Sequence, residues 1–298
     1  MTNTSVKRKQ ELKLALGLVL PALIIMAAVN LYPLIYSFVI SLRDYDFHGD
    51  KSYPFCGLEN YIYIFEDVRF WRSLGITLIF TAGAVTLEIG LALMCALALN
   101  RKFRGQGALR VIALLPWAIP PVVNGILWKW ILNPRYGALN GLLMQLGVID
   151  EYIVWLGSPS LAMLMVILTD VWKETPFIML LLLAALQSVP SYLYDAAKID
   201  GAGAFRTFKE VTLALIRPAL FVALSLRTIW ALKSFDLIYA LTQGGPSNST
   251  EVLGYYTYQK SFVSLHMGRG AAAAYIMTFI VLLIVIFYQK AVYQDVEY

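Results

Sequence analysis

Cysteine and histidine are almost missing from this chain: its 298 residues include Cys56, Cys95, His48 and His266 and no others of either type. Four such residues spread over most of the length make no ligand cluster, so a metal site is not expected. Charge is scarce as well, at 14% of residues against roughly a quarter in soluble domains. No G-x-x-x-x-G-K-[ST] pattern occurs, so the chain lacks the loop that cradles nucleotide phosphates and does not hydrolyse ATP by itself. No nucleophile–base pair stands out either, which leaves a membrane-embedded enzyme little support. The net charge of +5 is not a nucleic-acid signature, because the basic residues sit in short segments between apolar runs.

What is present is apolar. The 59% of hydrophobic residues is too much for a soluble domain of this length, and it comes in long runs. Six runs approach or exceed the ~20 residues that cross a bilayer, over roughly 14–41, 74–99, 109–132, 161–187, 215–241 and 271–292. We read an all-α membrane protein, 1–298 being one domain of six transmembrane helices. The first run is too long for a cleaved signal peptide and reads as a retained span.

Short-loop lysine and arginine give the orientation. Lys7, Arg8, Lys9 and Lys13 precede the first span; Arg101, Lys102, Arg104 and Arg110 crowd the second loop; Lys198, Arg206, Lys209 and Arg217 lie in the fourth. The first loop instead mixes Arg43, Lys51, Arg69 and Arg72 with Asp44, Asp46, Asp50, Glu59, Glu66 and Asp67, and the third sets Arg135 against Asp150 and Glu151. Both termini and the fourth loop are therefore expected on the cytoplasmic side. Cys56 and Cys95 then fall in different compartments and are not expected to be bridged. The outer loops carry aromatics (Tyr61, Phe65, Trp71, and 255–262) that suit a membrane border and also a docking surface for an external protein.

A charge at bilayer depth costs about 3 kcal/mol even on lenient scales, so each one needs a reason. Glu88 marks the second span; Pro116, Trp117, Pro120, Pro121 and Asn124 the third; Asp170, Lys173, Glu174 and Pro176 the fourth; Arg227 the fifth. Interrupted helices with polar groups at depth suit a translocation site. Arg227, Trp230, Ala231 and Ser234 fall at i, i+3, i+4 and i+7, one helix face, and Lys173 and Phe177 share another. An indole beside a guanidinium and a hydroxyl suits a sugar. The plainer reading is interhelical pairing, with Lys173 or Arg227 neutralising Glu88, Asp170, Glu174 or Asp236. We favour it for Glu88, Lys173 and Glu174, and leave both readings open for Arg227 and Trp230.

The segment 190–218, PSYLYDAAKIDGAGAFRTFKEVTLALIRP, is a polar insert between two apolar runs. A helix over 191–199, a reversal at Gly201 and Gly203, and a second helical pattern through Phe205 and Phe208 predict a projecting knob. Asp195-Ala196-Ala197, three residues and Gly201 resemble the E-A-A-x-x-x-G loop of ATP-binding-cassette importer permeases. Asp200-Gly201-Ala202, Phe208, Val211-Thr212-Leu213 and Pro218 extend the likeness. Asp195 stands where glutamate is usual. Ala214 stands where proline is usual, so the second helix is expected to run on into the next span. Residues 241–246 (LTQGGP) and 172–177 (WKETPF) resemble the carbohydrate-uptake, maltose-permease-like branch.

The resemblance implies the type I importer fold and a permease subunit that moves a sugar by alternating access. It further implies a homologous second permease, two cytosolic ATPase subunits that use ATP and Mg, an external sugar-binding protein, and a bacterial inner-membrane location. The coupling loop would be 190–214, with Asp195, Ala196, Ala197, Asp200 and Gly201 facing the ATPase. Trp117, Lys173, Glu174, Phe177, Arg227, Trp230, Ala231 and Ser234 match the family's substrate-contact positions. The alternative is a proton-coupled secondary transporter in which Glu88, Asp170 or Glu174 relays protons; it gives the knob no purpose.

Overall fold

A computed structural model describes residues 3–47, 52–101 and 103–291. His48, Asp50, Lys51, Lys102 and Val292 lie outside the described residues, as do the side chains of Lys7, Arg8, Lys9 and Lys13. The described residues are helical, with two isolated bridge pairs, Arg43 with Phe55 and Asp46 with His266, and no strand. Three helical stretches are long and apolar enough to cross a membrane: Leu14–Ser41, Val68–Leu99 and Met267–Tyr288. The chain divides into two compact units.

The first unit comprises 1–66 and 258–275. Here α1 (Asn3–Met26) passes through a π-helical turn (Ala27–Leu31) into α2 (Tyr32–Ser41), and none of the apolar window in this stretch is buried. The buried Asn60, on α3 (Glu59–Glu66), donates to the carbonyls of Ser41 at 2.9 Å and Arg43 at 2.8 Å, which ties the end of α2 down. His266 pairs with Asp46 at 2.9 Å. Burial pushes the Cys56 thiol above its ordinary value, so it is a poor nucleophile here.

The second unit, 67–257 and 276–298, is built around two long helices. Helix α4 (Val68–Leu99) opens on Asp67, whose carboxylate accepts from the Arg69 amide at 2.9 Å and from the Tyr256 hydroxyl at 2.8 Å. Helix α8 (Pro159–Ser188) starts on a proline, which loses nothing at a position whose N–H is unpaired anyway. The two lie alongside one another. Ala92 and Ala96 of α4 give room for Ile178, Leu182 and Leu186 of α8, small against large, as close helix packing requires where the surroundings are themselves apolar.

The other apolar runs are broken. The run over 109–132 forms α5 (Gln106–Leu114) and α6 (Pro121–Ile131), separated at the prolines Pro116 and Pro120. After α6 come α7 (Ala138–Gln145), and, beyond α8, the short α9 (Ser191–Ile199) and α10 (Ala204–Thr207). The run over 215–241 forms α11 (Arg217–Leu232) and α12 (Asp236–Leu241). Helices α13 (Leu253–Tyr258) and α14 (Met267–Ala291) complete the chain. The second helix of the knob does not run on as Ala214 suggested. It continues through a π-helical stretch (Phe208–Leu213) to Leu215 and turns by 67° into α11. Pro218 supplies the reason: it has no N–H to give the Ala214 carbonyl, so the ladder stops there whichever residue occupies 214.

Helices α6 and α12 meet through Gly125, where a Cβ would lie 2.6 Å from the Cβ of Ala240 and 3.4 Å from the Leu237 carbonyl. Gly125→Val should therefore force these helices apart and lower stability by about 1–3 kcal/mol. Thermal unfolding in detergent checks it; an unchanged midpoint would mean that this contact is loose.

A charged cavity between broken helices and an exposed knob

The breaks converge. A cavity of about 310 Å³ is walled by Pro121 and Asn124 of α6, by Asp170, Lys173 and Glu174 of α8, by Arg227 and Trp230 of α11, and by 233–237. Helix α11 ends at Leu232, three residues short of α12, and this gap lets the chain bend around the cavity mouth. Gly254 permits the bend, since a Cβ there would sit 2.6 Å from the Ser234 carbonyl. Backbone freed in this way is tolerated at membrane depth only where protein or a polar cavity meets it.

Behind the wall, Arg227 donates through Nε and Nη2 to Glu88 and through Nη2 to Asp170, the latter at 2.6 Å. Glu88 is fully buried and the other two nearly so. One guanidinium thus joins α4, α8 and α11. Its planar fork suits two carboxylates at once, which a lysine ammonium would not match. Beside it Lys173 holds its own neighbour Glu174 at 2.6 Å. Asn124 is fully buried on the wall, and neither its amide oxygen nor its amide nitrogen meets a hydrogen-bond partner.

Three rings stand next to these charges. Trp117 stacks on Phe177 with centroids 5.2 Å apart, and Phe177 meets Trp230 at 5.4 Å. Both indoles remain about two-fifths exposed.

Of the residues singled out from the sequence, Lys173, Glu174, Arg227, Trp230 and Ser234 line the cavity. Trp117 and Phe177 reach it through Trp230 rather than as wall residues. Ala231 is buried at 1% exposure and is not among the wall residues. The single helical face from Arg227 to Ser234 needs correction, because the helix stops at Leu232 and Ser234 lies in the break. Lys173 and Glu174 pair with each other and not across helices. Asn124 had stood out as a polar mark and Asp170 as a pairing or proton-relay candidate, and Lys233 and Asp236 join them on the wall. Sequence spacing could not have found the last two, since their positions depend on the break. Another ion pair went unread altogether: the buried Glu251, 1% exposed, receives the half-exposed Arg69 at 2.8 Å and 3.0 Å.

The knob is exposed. Helix α9 is closed by a Schellman motif: the Ala202 amide donates to the Ala197 carbonyl at 2.9 Å and the Gly201 amide to Lys198 at 3.0 Å, with Gly201 at φ +72°. Asp195 faces solvent and pairs with Lys198 at 3.2 Å. Arg206 pairs with Glu210 at 2.9 Å. A groove of about 200 Å³ runs between the two arms, bordered by Ala196, Ala197, Asp200 and Val211. Tyr192, Ile199 and Phe205 project with two-thirds or more of their surface free.

The chain belongs to the family of binding-protein-dependent transport system inner membrane components, whose model matches residues 88–297. It is thus a multi-pass inner-membrane permease of the ABC importer class, with the type I importer fold. It is 42% identical over 94% of its length to 93% of the trehalose/maltose transport system permease protein MalF of Thermococcus litoralis. It is 38% identical to the sulfoquinovosyl glycerol transport system permease protein SmoG of Agrobacterium fabrum, over 89% of this chain and 85% of that one. Against the trehalose transport system permease protein SugA of Mycobacterium tuberculosis the identity is 39%, covering 89% and 84%. In fold it matches a bacterial alginate ABC transporter solved with an alginate pentasaccharide-bound periplasmic protein, with a TM-score of 0.80 at 24% identity over 96% of this chain and 95% of that one.

Removing one partner from a buried ion pair leaves the other charge stranded. Arg227→Met strands both Glu88 and Asp170 and should lower stability by about 3–5 kcal/mol. Glu88→Gln keeps the Arg227–Asp170 contact and should cost less. Scanning fluorimetry of the two variants compares them directly, and equal losses would contradict the shared guanidinium.

Proposed function

We infer that this chain is the membrane-spanning permease subunit of a sugar importer that an external binding protein feeds and partner ATPases drive. The observation that carries the reading is the pairing of the exposed, glycine-capped knob with a polar cavity where broken helices meet. In this reading the two arms around Gly201 dock in the ATPase, with Asp195 as a charge contact and Ala196, Ala197 and Asp200 along the groove. Nucleotide-driven closure of the ATPase dimer then carries the knobs of two homologous permeases together, and the spans rock so that the cavity opens to alternate sides. ATP and Mg belong to the partner, and both termini lie with the knob in the cytoplasm. Six spans in one domain, 1–298, remain part of the proposal.

The cavity suits a sugar because Trp230, backed by Phe177 and Trp117, offers a ring face while Asn124, Ser234 and the paired charges offer polar partners. The relatives whose names specify trehalose, maltose or sulfoquinovosyl glycerol support the same substrate class. Proton coupling has less to rest on, since the acids that suggested it are held by Arg227 and Lys173.

Gly201→Val places a β-branched residue at φ +72°, and Asp195→Lys reverses the charge on the knob. Each variant should insert normally, lose co-elution with the ATPase and abolish uptake; full uptake by both, or uptake with a hydrolysis-dead ATPase, would defeat the coupling role. Trp230→Ala should reduce uptake severalfold at unchanged assembly, read from initial rates of labelled trehalose or maltose in proteoliposomes. An unchanged rate would move the sugar-contacting surface elsewhere.

A further inference from the structure

The cavity's own charges are already spent on one another. Its wall carries three acids, Asp170, Glu174 and Asp236, and three bases, Lys173, Arg227 and Lys233, with Glu88 directly behind. Arg227 faces two carboxylates, Glu88 and Asp170, and with either one ionised its charge is already matched. Lys173 is held by Glu174 at 2.6 Å. Lys233 is the remaining base, and Asp236 stands three residues beyond it on the same rim. An anion entering here would meet at least as much negative charge as positive, and to gain Lys173 it would have to strand Glu174.

Against this background Asn124 is distinct. It is fully buried, it lies on the wall, and both ends of its carboxamide lack a protein partner. Buried amides are rarely left so, because each unmet group keeps its desolvation cost. The carboxamide is a double donor and an acceptor. A sugar hydroxyl, which both donates and accepts, can satisfy either end. A carboxylate or phosphate accepts only and would leave the Asn124 oxygen unmet.

We propose that this cavity selects an uncharged polyhydroxyl ligand, with Asn124 reading its hydroxyls and Trp230 covering a ring face. The inference rests on the sugar-importer reading and narrows it to neutral saccharides.

The test uses the complete transporter assembly in nanodiscs, probed calorimetrically with trehalose, maltose and trehalose 6-phosphate. A neutral disaccharide should bind, and trehalose 6-phosphate should bind at least about tenfold more weakly. Asn124→Ala should weaken the neutral ligand by about tenfold, the worth of one hydrogen bond. The same variant, having no protein partner to lose, should keep or raise the thermal midpoint of the ligand-free assembly. Binding of trehalose 6-phosphate as tight as that of trehalose would overturn the proposal, as would an Asn124→Ala assembly that binds normally. A fall in its midpoint would assign Asn124 a structural role instead. An assembly that binds none of the three saccharides, while its ATPase still co-elutes, would instead refute the sugar reading itself, and this inference with it.

Discussion

One guanidinium held by carboxylates from two other helices is the contact on which the second unit depends. Arg227 reaches Glu88 on α4 and Asp170 on α8, so three helices from distant parts of the chain are pinned at one depth. In an apolar solvent there is little hydrophobic drive to bring helices together, and polar contacts and close packing carry more of the specificity. The ion pairs also account for the composition. In a chain this poor in charge, Glu88 and Asp170 are engaged by Arg227, and Lys173 by Glu174.

The same arrangement leaves a cavity and sets its character. Helix α6 begins at prolines and α11 ends three residues before α12, and the cavity beside them is lined by charged residues and by Trp230. The ion pairs lie close behind the wall, while the Asn124 amide has no protein partner and the two indoles stay about two-fifths exposed. The knob is constructed differently. It relies on local hydrogen bonds at Gly201 and on surface pairs worth little individually.

The polar residues at depth were legible because each is an anomaly in an apolar run. Glu88, Asp170, Lys173, Glu174 and Arg227 needed partners on energetic grounds alone, and pairing was the plainer of the two readings. Which carboxylate would meet which cation was not legible, since pairing depends on how helices cross. Ser234 illustrates the limit. Helical periodicity placed it on the Arg227 face, yet the helix ends two residues earlier, and Ser234 reaches the cavity through a bend. Lys233 and Asp236 were invisible as wall residues for the same reason.

What the amino-acid sequence determined by itself was local: apolar runs long enough to span a bilayer, breaks at proline, a turn at Gly201 closed by its left-handed backbone, and a motif that resembles one class of permease. These follow from the chemistry of neighbouring residues and need no distant contact. Only the tertiary structure decided that α4, α8 and α11 share one guanidinium, that Glu251 is buried against Arg69, and that Asn124 lies unpartnered on a cavity wall. Such facts arise between segments separated by tens to hundreds of residues, and the crossing of helices in space, which no spacing along the chain encodes, is what brings them together.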